Sequence, residues 1–249
     1  MQFTQVVAKV GRNDARIIGR DTFLIMLFGY ALFAIILIRF AVPPLANTLM
    51  KEMDFDLSVY YPLIVSGLVL HQVAAVLSGT VMGFILIDER DTGTLTAMLV
   101  TPVPPGKYIL YRVMIPTVIG FVFSVLGLAL LGNLHALAWW HILLLATVNA
   151  VFAALVSLFL AIFSANKVEG FATIKIVGSL MLIVMGAWFI PEPWQFIAGV
   201  YPPYWTMKSL WAIEAGESLW PLYMVIALVT QFAALAYLIR RLARVMYTT

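Results

Sequence analysis

The chain contains no cysteine, and it has little charge for its length. Without cysteine, disulfide scaffolds, thiolate zinc sites and cysteine nucleophiles are excluded. Charged residues make up 11% of the 249 residues and apolar residues 63%, whereas soluble domains carry about 25% charged residues. A chain of this size has too few charges to cover a soluble surface. Most of it must therefore be solvated by lipid.

The apolar residues fall into six runs, each long enough for a membrane-spanning helix of about 20 residues. The sequence predicts an all-α polytopic membrane protein with one domain over 1–249. The predicted spans are 22–42, 60–87, 108–132, 139–163, 172–190 and 219–239. The remaining segments are an N-terminal segment 1–21, a loop 88–107, a segment 191–218 and a tail 240–249.

The positive residues are distributed unevenly between the two sides of these spans. With the N-terminus inside, the inner side receives Lys9, Arg12, Arg16, Arg20, Arg90, Lys107, Arg112, Lys167, Lys175, Arg240, Arg241 and Arg244. The outer side receives only Arg39, Lys51 and Lys208. Because cytoplasmic loops carry the excess of Lys and Arg, we expect a multi-pass protein of the plasma (inner) membrane with both termini in the cytoplasm.

The N-terminal segment has the pattern of a helix lying on a membrane surface. Phe3, Val6, Val7 and Val10 recur at helical spacing. A separate stripe is basic and consists of Lys9, Arg12, Arg16 and Arg20. This pattern predicts an interfacial elbow helix that meets a cytoplasmic partner. The alternative is a frayed, positively charged flank.

The loop 88–107 is predicted to contain a short helix exposed to the cytosol. Asp91 or Thr92 can cap its start. Three prolines end it and stiffen the return to the membrane; they are Pro102, Pro104 and Pro105. Leu95, Met98 and Leu99 then form a small apolar face. Such a helix suits docking into another protein, and the alternative is a capped connector.

Several segments resemble one transporter family. They are Glu89–Leu95 followed by Thr101-Pro102 and Lys107, then Asn166–Gly170, Pro191–Trp194 and Tyr201–Trp205. Together they are similar to the corresponding segments of ABC-2 type transporter permeases, and most of all to the fluoroquinolone-export type. The pair Pro104-Pro105 departs from that pattern.

The resemblance implies an exporter subunit that moves hydrophobic or amphipathic, drug-like or lipid-like molecules. It implies a second permease subunit, identical or related, and two copies of an ABC ATPase subunit that carry the ATP and Mg. It assigns the coupling contact to a loop helix formed by Glu89, Arg90, Asp91, Thr92, Gly93, Thr94, Leu95, Met98 and Leu99. It also implies a re-entrant segment over 191–218, for which the alternative is an amphipathic outer loop. The chain has no phosphate-binding loop of its own, so we expect no enzyme activity and no cofactor on it.

Four polar residues lie inside predicted spans and are candidates for a substrate path: His71, Gln72, Asn149 and Gln231. Polar side chains at this depth usually face the protein interior. The alternative is that each makes a hydrogen bond between helices, and His71 could also take up a proton.

Two other function classes were weighed. An ion-coupled secondary carrier would need inverted repeats, and none is convincing. An intramembrane hydrolase would need a catalytic cluster at depth, and none is visible. We expect no catalytic residue, no metal site and no nucleic-acid partner.

Overall fold

The computed structural model describes residues 2–98 and 103–248, and within these ranges it is helical without any β-strand. The helices are α1 Phe3–Arg20, α2 Thr22–Met53, α3 Leu57–Asp91, α4 Thr94–Met98, α5 Pro105–Leu130, α6 Trp139–Phe163, α7 Lys167–Ala187, α8 Pro203–Glu214 and α9 Trp220–Thr248. Six of them (α2, α3, α5, α6, α7 and α9) are long and apolar enough to cross a membrane. The predicted all-α, six-span fold is confirmed. We call the end of the bundle that holds α1 and α4 the basic end.

Helices α3 and α6 form the centre of the bundle. In their most apolar stretches 89% and 78% of the residues are buried, against 17–33% for the other four long helices. Small residues allow α3 and α6 to approach closely. A Cβ atom on Gly79 of α3 would lie 2.5 Å from the carbonyl oxygen of Ala153 and 2.6 Å from Cβ of Val156, both in α6. Lipid supplies no hydrophobic force between spans, so this close packing holds them together.

Helix α2 continues through Pro43 and Pro44 to Met53, beyond the predicted end of the first span at residue 42. A proline inside a helix leaves the carbonyl four residues earlier without its N–H partner. For Pro43 that carbonyl belongs to Arg39, and it accepts a hydrogen bond from the side chain of Asn133 at 3.4 Å. The loop after α5 thereby supplies a partner that the helix lacks.

Helix α3 is one continuous rod of changing pitch. Asp56 caps its first turn by accepting a hydrogen bond from the backbone of Ser58 at 2.9 Å, and the hydrogen bonds from Ser58 hold the pKa of Asp56 below its usual value. Residues Val65–Leu77 then form a π-helix. Such wide turns are rare and are frequently found at functional sites.

The chain between α7 and α9 folds back into the bundle. Tyr201 reaches His71 in α3, with 2.7 Å between the hydroxyl and Nε2. Ten residues later, Trp211 donates to Ser66, which lies five residues closer to the start of α3, at 2.8 Å. Helix α8 therefore runs from the middle of the bundle back towards the end opposite α1. Most of its residues are buried, so it is held inside the protein.

Adding a methyl group at Gly79 should destabilise the bundle. The new Cβ of Gly79→Ala would overlap backbone and side-chain atoms of α6, and overpacking of this kind costs about 1–3 kcal/mol. We expect a lower thermal unfolding midpoint for the detergent-solubilised protein, measured by tryptophan fluorescence.

The matched control is Gly186→Ala in α7, where a Cβ would meet nothing within 4 Å. It should melt at or above the wild-type temperature, because alanine favours helix over glycine. Equal midpoints for the two variants would contradict the close packing of α3 on α6.

Candidate functional site

A buried ion cluster lies at the basic end, directly beside the predicted coupling loop. Its centre is Arg112 on α5, whose side chain is fully buried. The guanidinium contacts Asp14 on α1 with 2.6 Å between Nη1 and Oδ2. It also pairs with Glu89 near the end of α3. One cation thus joins three helices.

Two tyrosines complete the hydrogen bonding of this cluster. Tyr111 donates its hydroxyl proton to Asp14 at 2.6 Å, and Tyr108 donates to Glu89. Arg112 Nε in turn donates to the Tyr108 hydroxyl at 2.9 Å. A buried ion pair is tolerated when its remaining donors and acceptors are also satisfied. That condition is met here. We call Asp14, Glu89, Tyr108, Tyr111 and Arg112 the Arg112 cluster.

Arg90 ties the same region to the central helix α6. Its guanidinium donates to three backbone carbonyls at the end of α6, those of Ala161, Ser164 and Ala165, at 2.8, 2.5 and 2.7 Å. The last carbonyls of a helix lack partners within the helix and form the negative end of its dipole. Arg90 therefore caps α6 and fixes the start of the loop 88–107 to it.

Lys167 makes a third connection at the basic end. Its ammonium lies 2.8 Å from a carboxylate oxygen of Asp88 and 3.6 Å from one of Asp21. Asp21 also caps the start of α2, accepting from the backbone of Phe23 at 2.9 Å. The segment Asn166–Gly170, one of those that resemble the transporter family, therefore contacts the start of the loop 88–107 through Lys167 and Asp88.

The short loop helix α4 differs from the prediction in two respects. Asp91 is the last residue of α3, so it does not cap α4. Thr92 and Gly93 form the turn between the helices, with Gly93 at a φ of 69°, a conformation that glycine adopts at no steric cost. Leu95 is buried rather than exposed, because it joins the core cluster that includes Leu242 of α9.

The remaining members of the predicted coupling face are described only in part. Leu99 lies outside the described residues, and for Met98 only the backbone is described. Thr94 and Ala97 are exposed on α4. The exposed surface of α4 therefore includes these two residues and excludes Leu95.

Helix α1 carries the predicted basic stripe on its exposed side: Lys9, Arg12, Arg16 and Arg20 are all exposed. Val6 and Asp14 are buried on the other side. The sequence analysis missed Asp14, Tyr108 and Tyr111, and it counted Arg112 only as an inner positive charge. A signal was present, because Asp14 continues the apolar stripe of Val6 and Val10 at helical spacing. An acid on an apolar face needs a buried cation.

Three of the four predicted path residues, His71, Asn149 and Gln231, are buried and make hydrogen bonds between elements. His71 pairs with Tyr201, and its Nδ1 is buried without a hydrogen-bond partner. Gln231 donates to Thr206 at 3.0 Å, and its Oε1 is likewise unpartnered. Asn149 donates to the carbonyl oxygen of Leu70 and to Ser124, both at 2.9 Å.

Gln72 does not join this group. It lines a separate cavity of about 330 Å³ between α2, α3 and α7. A Cβ on Gly178 of α7 would lie 3.1 Å from its amide nitrogen. The structure therefore divides the four residues between two sides of α3, and it does not place them along one path.

Lys208 was predicted to lie in an outer loop, yet it is 6% exposed within α8. Its ammonium lies 2.6 Å from Glu192 and 5.4 Å from the ring centre of Tyr223. This ion pair fastens the chain after α7 to α8. In the described parts of the chain, no group of three His, Asp or Glu side chains is placed to hold a metal ion.

Substituting Arg112 should destabilise the protein more than removing the whole cluster's charge does. Arg112→Gln leaves two buried carboxylates without a cation, and breaking a buried pair costs about 3–5 kcal/mol. The triple variant Asp14→Asn, Glu89→Gln, Arg112→Gln removes every charge. We expect its thermal midpoint to lie between those of Arg112→Gln and the wild type.

The milder variant Tyr111→Phe loses one hydrogen bond to a carboxylate and should lower the free energy of unfolding by about 1.5–3 kcal/mol, less than Arg112→Gln does. If the triple variant were no more stable than Arg112→Gln, packing rather than charge pairing would explain the role of Arg112.

Comparison with known proteins places the chain in a family. A family model described as "Fluoroquinolones export permease protein Rv2686c-like" matches residues 14–239. Two relatives from Mycobacterium tuberculosis are the "Fluoroquinolones export permease protein MT2760" of strain CDC 1551 / Oshkosh and the "Fluoroquinolones export permease protein Rv2686c" of strain ATCC 25618 / H37Rv. Each is 30% identical over 238 residues, which cover 95% of this chain and 94% of the relative. No solved structure gives a significant match. The chain is a multi-pass membrane protein that belongs to the Rv2686c-like family of fluoroquinolone export permeases.

Proposed function

We propose that the chain is the permease subunit of an ATP-driven exporter and that its basic end receives force from separate ATPase subunits. The observation that carries this proposal is the Arg112 cluster. It joins the elbow helix α1, the end of α3 and the start of α5 immediately beside α4. A loop helix docked on a moving partner would therefore act on three helices at once.

The cluster suits such a role because its parts cannot separate at low cost. Pulling Glu89 away from Arg112 would leave a buried carboxylate unpaired, which costs several kcal/mol. Arg90 adds a connection to α6 through three carbonyl contacts. Movement of α4 would accordingly shift α1, α5 and α6 as a rigid group.

The nucleotide chemistry belongs to the partners in this proposal. The chain lacks a phosphate-binding loop, so ATP and Mg would be held by two copies of an ABC ATPase. A second permease, identical or related, would complete the pathway across the membrane. The exposed basic stripe of α1 would lie against lipid headgroups and the neighbouring ATPase.

The orientation follows from the charges. The basic end would face the cytoplasm, with both termini there, in the plasma (inner) membrane. The segment 191–218 would then be re-entrant from the outside. Helix α8 in this segment is mostly buried in protein, and Tyr201 before it contacts His71 and Phe152; backbone that does not span the membrane is tolerated at membrane depth under such cover.

The relatives are named as fluoroquinolone exporters, and we propose a substrate of the same kind: a hydrophobic or amphipathic, drug-like molecule moved outward. One observation favours the second candidate, an ion-coupled carrier. His71 is buried on a π-helix against Tyr201, and a histidine at such a place can exchange a proton. Transport into inverted vesicles that depends on ATP and persists when the proton gradient is collapsed would exclude that alternative.

Placing a bulky charge on α4 should prevent ATPase docking without disturbing the fold. Ala97 is exposed, so Ala97→Arg alters the surface and spares the buried side of the helix. We expect at least a tenfold loss of the co-purifying ATPase from detergent extracts of the native cells. ATP-dependent transport should fall with it.

The matched control is Ala136→Arg, which adds the same side chain to an exposed alanine in the loop between α5 and α6, at the other end of the bundle. Both variants should elute at the same position as the wild type in size-exclusion chromatography. Normal ATPase recovery with Ala97→Arg would argue against coupling through α4.

A further inference from the structure

A cavity of about 460 Å³ lies at the end of the bundle opposite α1, a volume within the range of small-molecule sites. It is lined by the start of α3, the loop between α5 and α6, the end of α7 and the end of α8. Among the residues that the structure describes, its lining includes no member of the Arg112 cluster and none of the four polar residues considered for a substrate path. We call it the Glu214 cavity, after the acidic residue in its lining.

The carboxylate of Glu214 has no positive partner in the described part of the chain. Its two oxygens accept from the backbone N–H of Ala136, each at 3.2 Å. His141 is near enough to interact with it electrostatically, but no side-chain nitrogen of the described residues lies within ion-pair distance. A carboxylate has about four acceptor sites, so Glu214 keeps the capacity to bind a cation.

Three aromatic rings line the same cavity, those of Tyr61, Trp188 and Trp211. The two indoles are perpendicular, at 87°, with 4.9 Å between their centres. Trp211 is held in place because its Nε1 donates to Ser66 at 2.8 Å. The face of an aromatic ring carries partial negative charge and attracts a cation within about 6 Å. A single carboxylate beside three rings suits an organic cation, whereas Ca²⁺ takes about 6–8 oxygen ligands.

The charges around the Glu214 cavity add to its negative character. A smaller cavity of about 160 Å³ lies on the other side of the two indoles and is lined by Glu217 and Lys208. The positive charge of Lys208 is offset by Glu192, at 2.6 Å. At the rim of the Glu214 cavity, Ser58 donates its hydroxyl and its backbone N–H to Asp56. A positively charged ligand is therefore attracted to this end of the bundle.

We propose that the Glu214 cavity binds an organic ammonium ion, with its charge on Glu214 and its alkyl groups against the aromatic rings. Ala136 and Ala215 in the lining are exposed, so the cavity opens to the surface and the ligand enters from water. A bound cation bridges the ends of α3, α7 and α8 to the loop between α5 and α6. This inference goes beyond the proposed export function and does not depend on it.

Binding can be tested with choline and with dimethylbutanol, its uncharged analogue in which carbon replaces the ammonium nitrogen. The full-length protein in a non-ionic detergent should bind choline, measured by isothermal titration calorimetry at constant ionic strength. We expect the neutral analogue to bind at least tenfold more weakly, because it lacks the charge that Glu214 and the rings attract.

The role of the carboxylate is tested by Glu214→Gln, whose amide oxygen can still accept from the backbone of Ala136. It should weaken choline binding about tenfold and leave the affinity for the neutral analogue as in the wild type. The matched control Glu52→Gln removes an exposed acid that does not line the cavity, and its choline affinity should equal that of the wild type.

A second pair of variants tests the aromatic wall. Trp188→Leu removes a half-buried ring of the lining and should weaken choline binding about fivefold. Trp194→Leu removes a ring that is 67% exposed outside the cavity and should bind choline normally. The proposal would be overturned if the wild type bound no choline, if the neutral analogue bound equally well, or if Glu214→Gln kept full choline affinity.

Failure of this inference is distinguishable from failure of the export proposal. Ala136→Arg places a guanidinium beside Glu214 and should abolish choline binding while the ATPase still co-purifies. Ala97→Arg should lose the ATPase and bind choline like the wild type. If Ala136→Arg bound choline normally, the cation site would be wrong; if Ala97→Arg kept the ATPase, only the proposed coupling would be wrong.

Discussion

The burial of one positive charge governs the organisation of the basic end. A guanidinium without solvent is costly unless carboxylates and hydrogen-bond partners surround it. Arg112 obtains them from α1 and α3, so these helices must meet α5 at this point for the fold to be stable. The position of the loop after α3 follows from that requirement, since Glu89 lies two residues before the end of the helix.

The middle of the bundle is built differently. At the basic end the buried charges of the Arg112 cluster are paired, whereas two buried polar atoms elsewhere in the bundle, His71 Nδ1 and Gln231 Oε1, have no partner. A buried polar network with all its contacts satisfied is rigid, whereas a buried polar atom without a partner is costly. This contrast fits the proposed entry of force at the basic end.

Much of the fold could be predicted because its determinants are local. A run of about 20 apolar residues is readable wherever it occurs, and the six spans were found in this way. The bias of Lys and Arg likewise predicts an orientation from counting alone. The ends of the helices were harder to predict from the sequence. Helix α2 continues through Pro43 and Pro44, where Asn133, far along the chain, donates a hydrogen bond to the carbonyl oxygen that Pro43 leaves without a partner.

By itself, therefore, the sequence determined the class of protein, the six candidate spans, the basic face of α1 and the loop between α3 and α5. Only the tertiary structure decided that Leu95 and Lys208 are buried. It also decided that Gln72 lies on the other side of α3 from the contact between His71 and Tyr201. The reason is physical. Hydropathy is a property of each segment, but pairing of side chains depends on the rotation of every helix about its axis. That rotation is fixed by neighbours distant in the chain, as Arg112 and Asp14 illustrate.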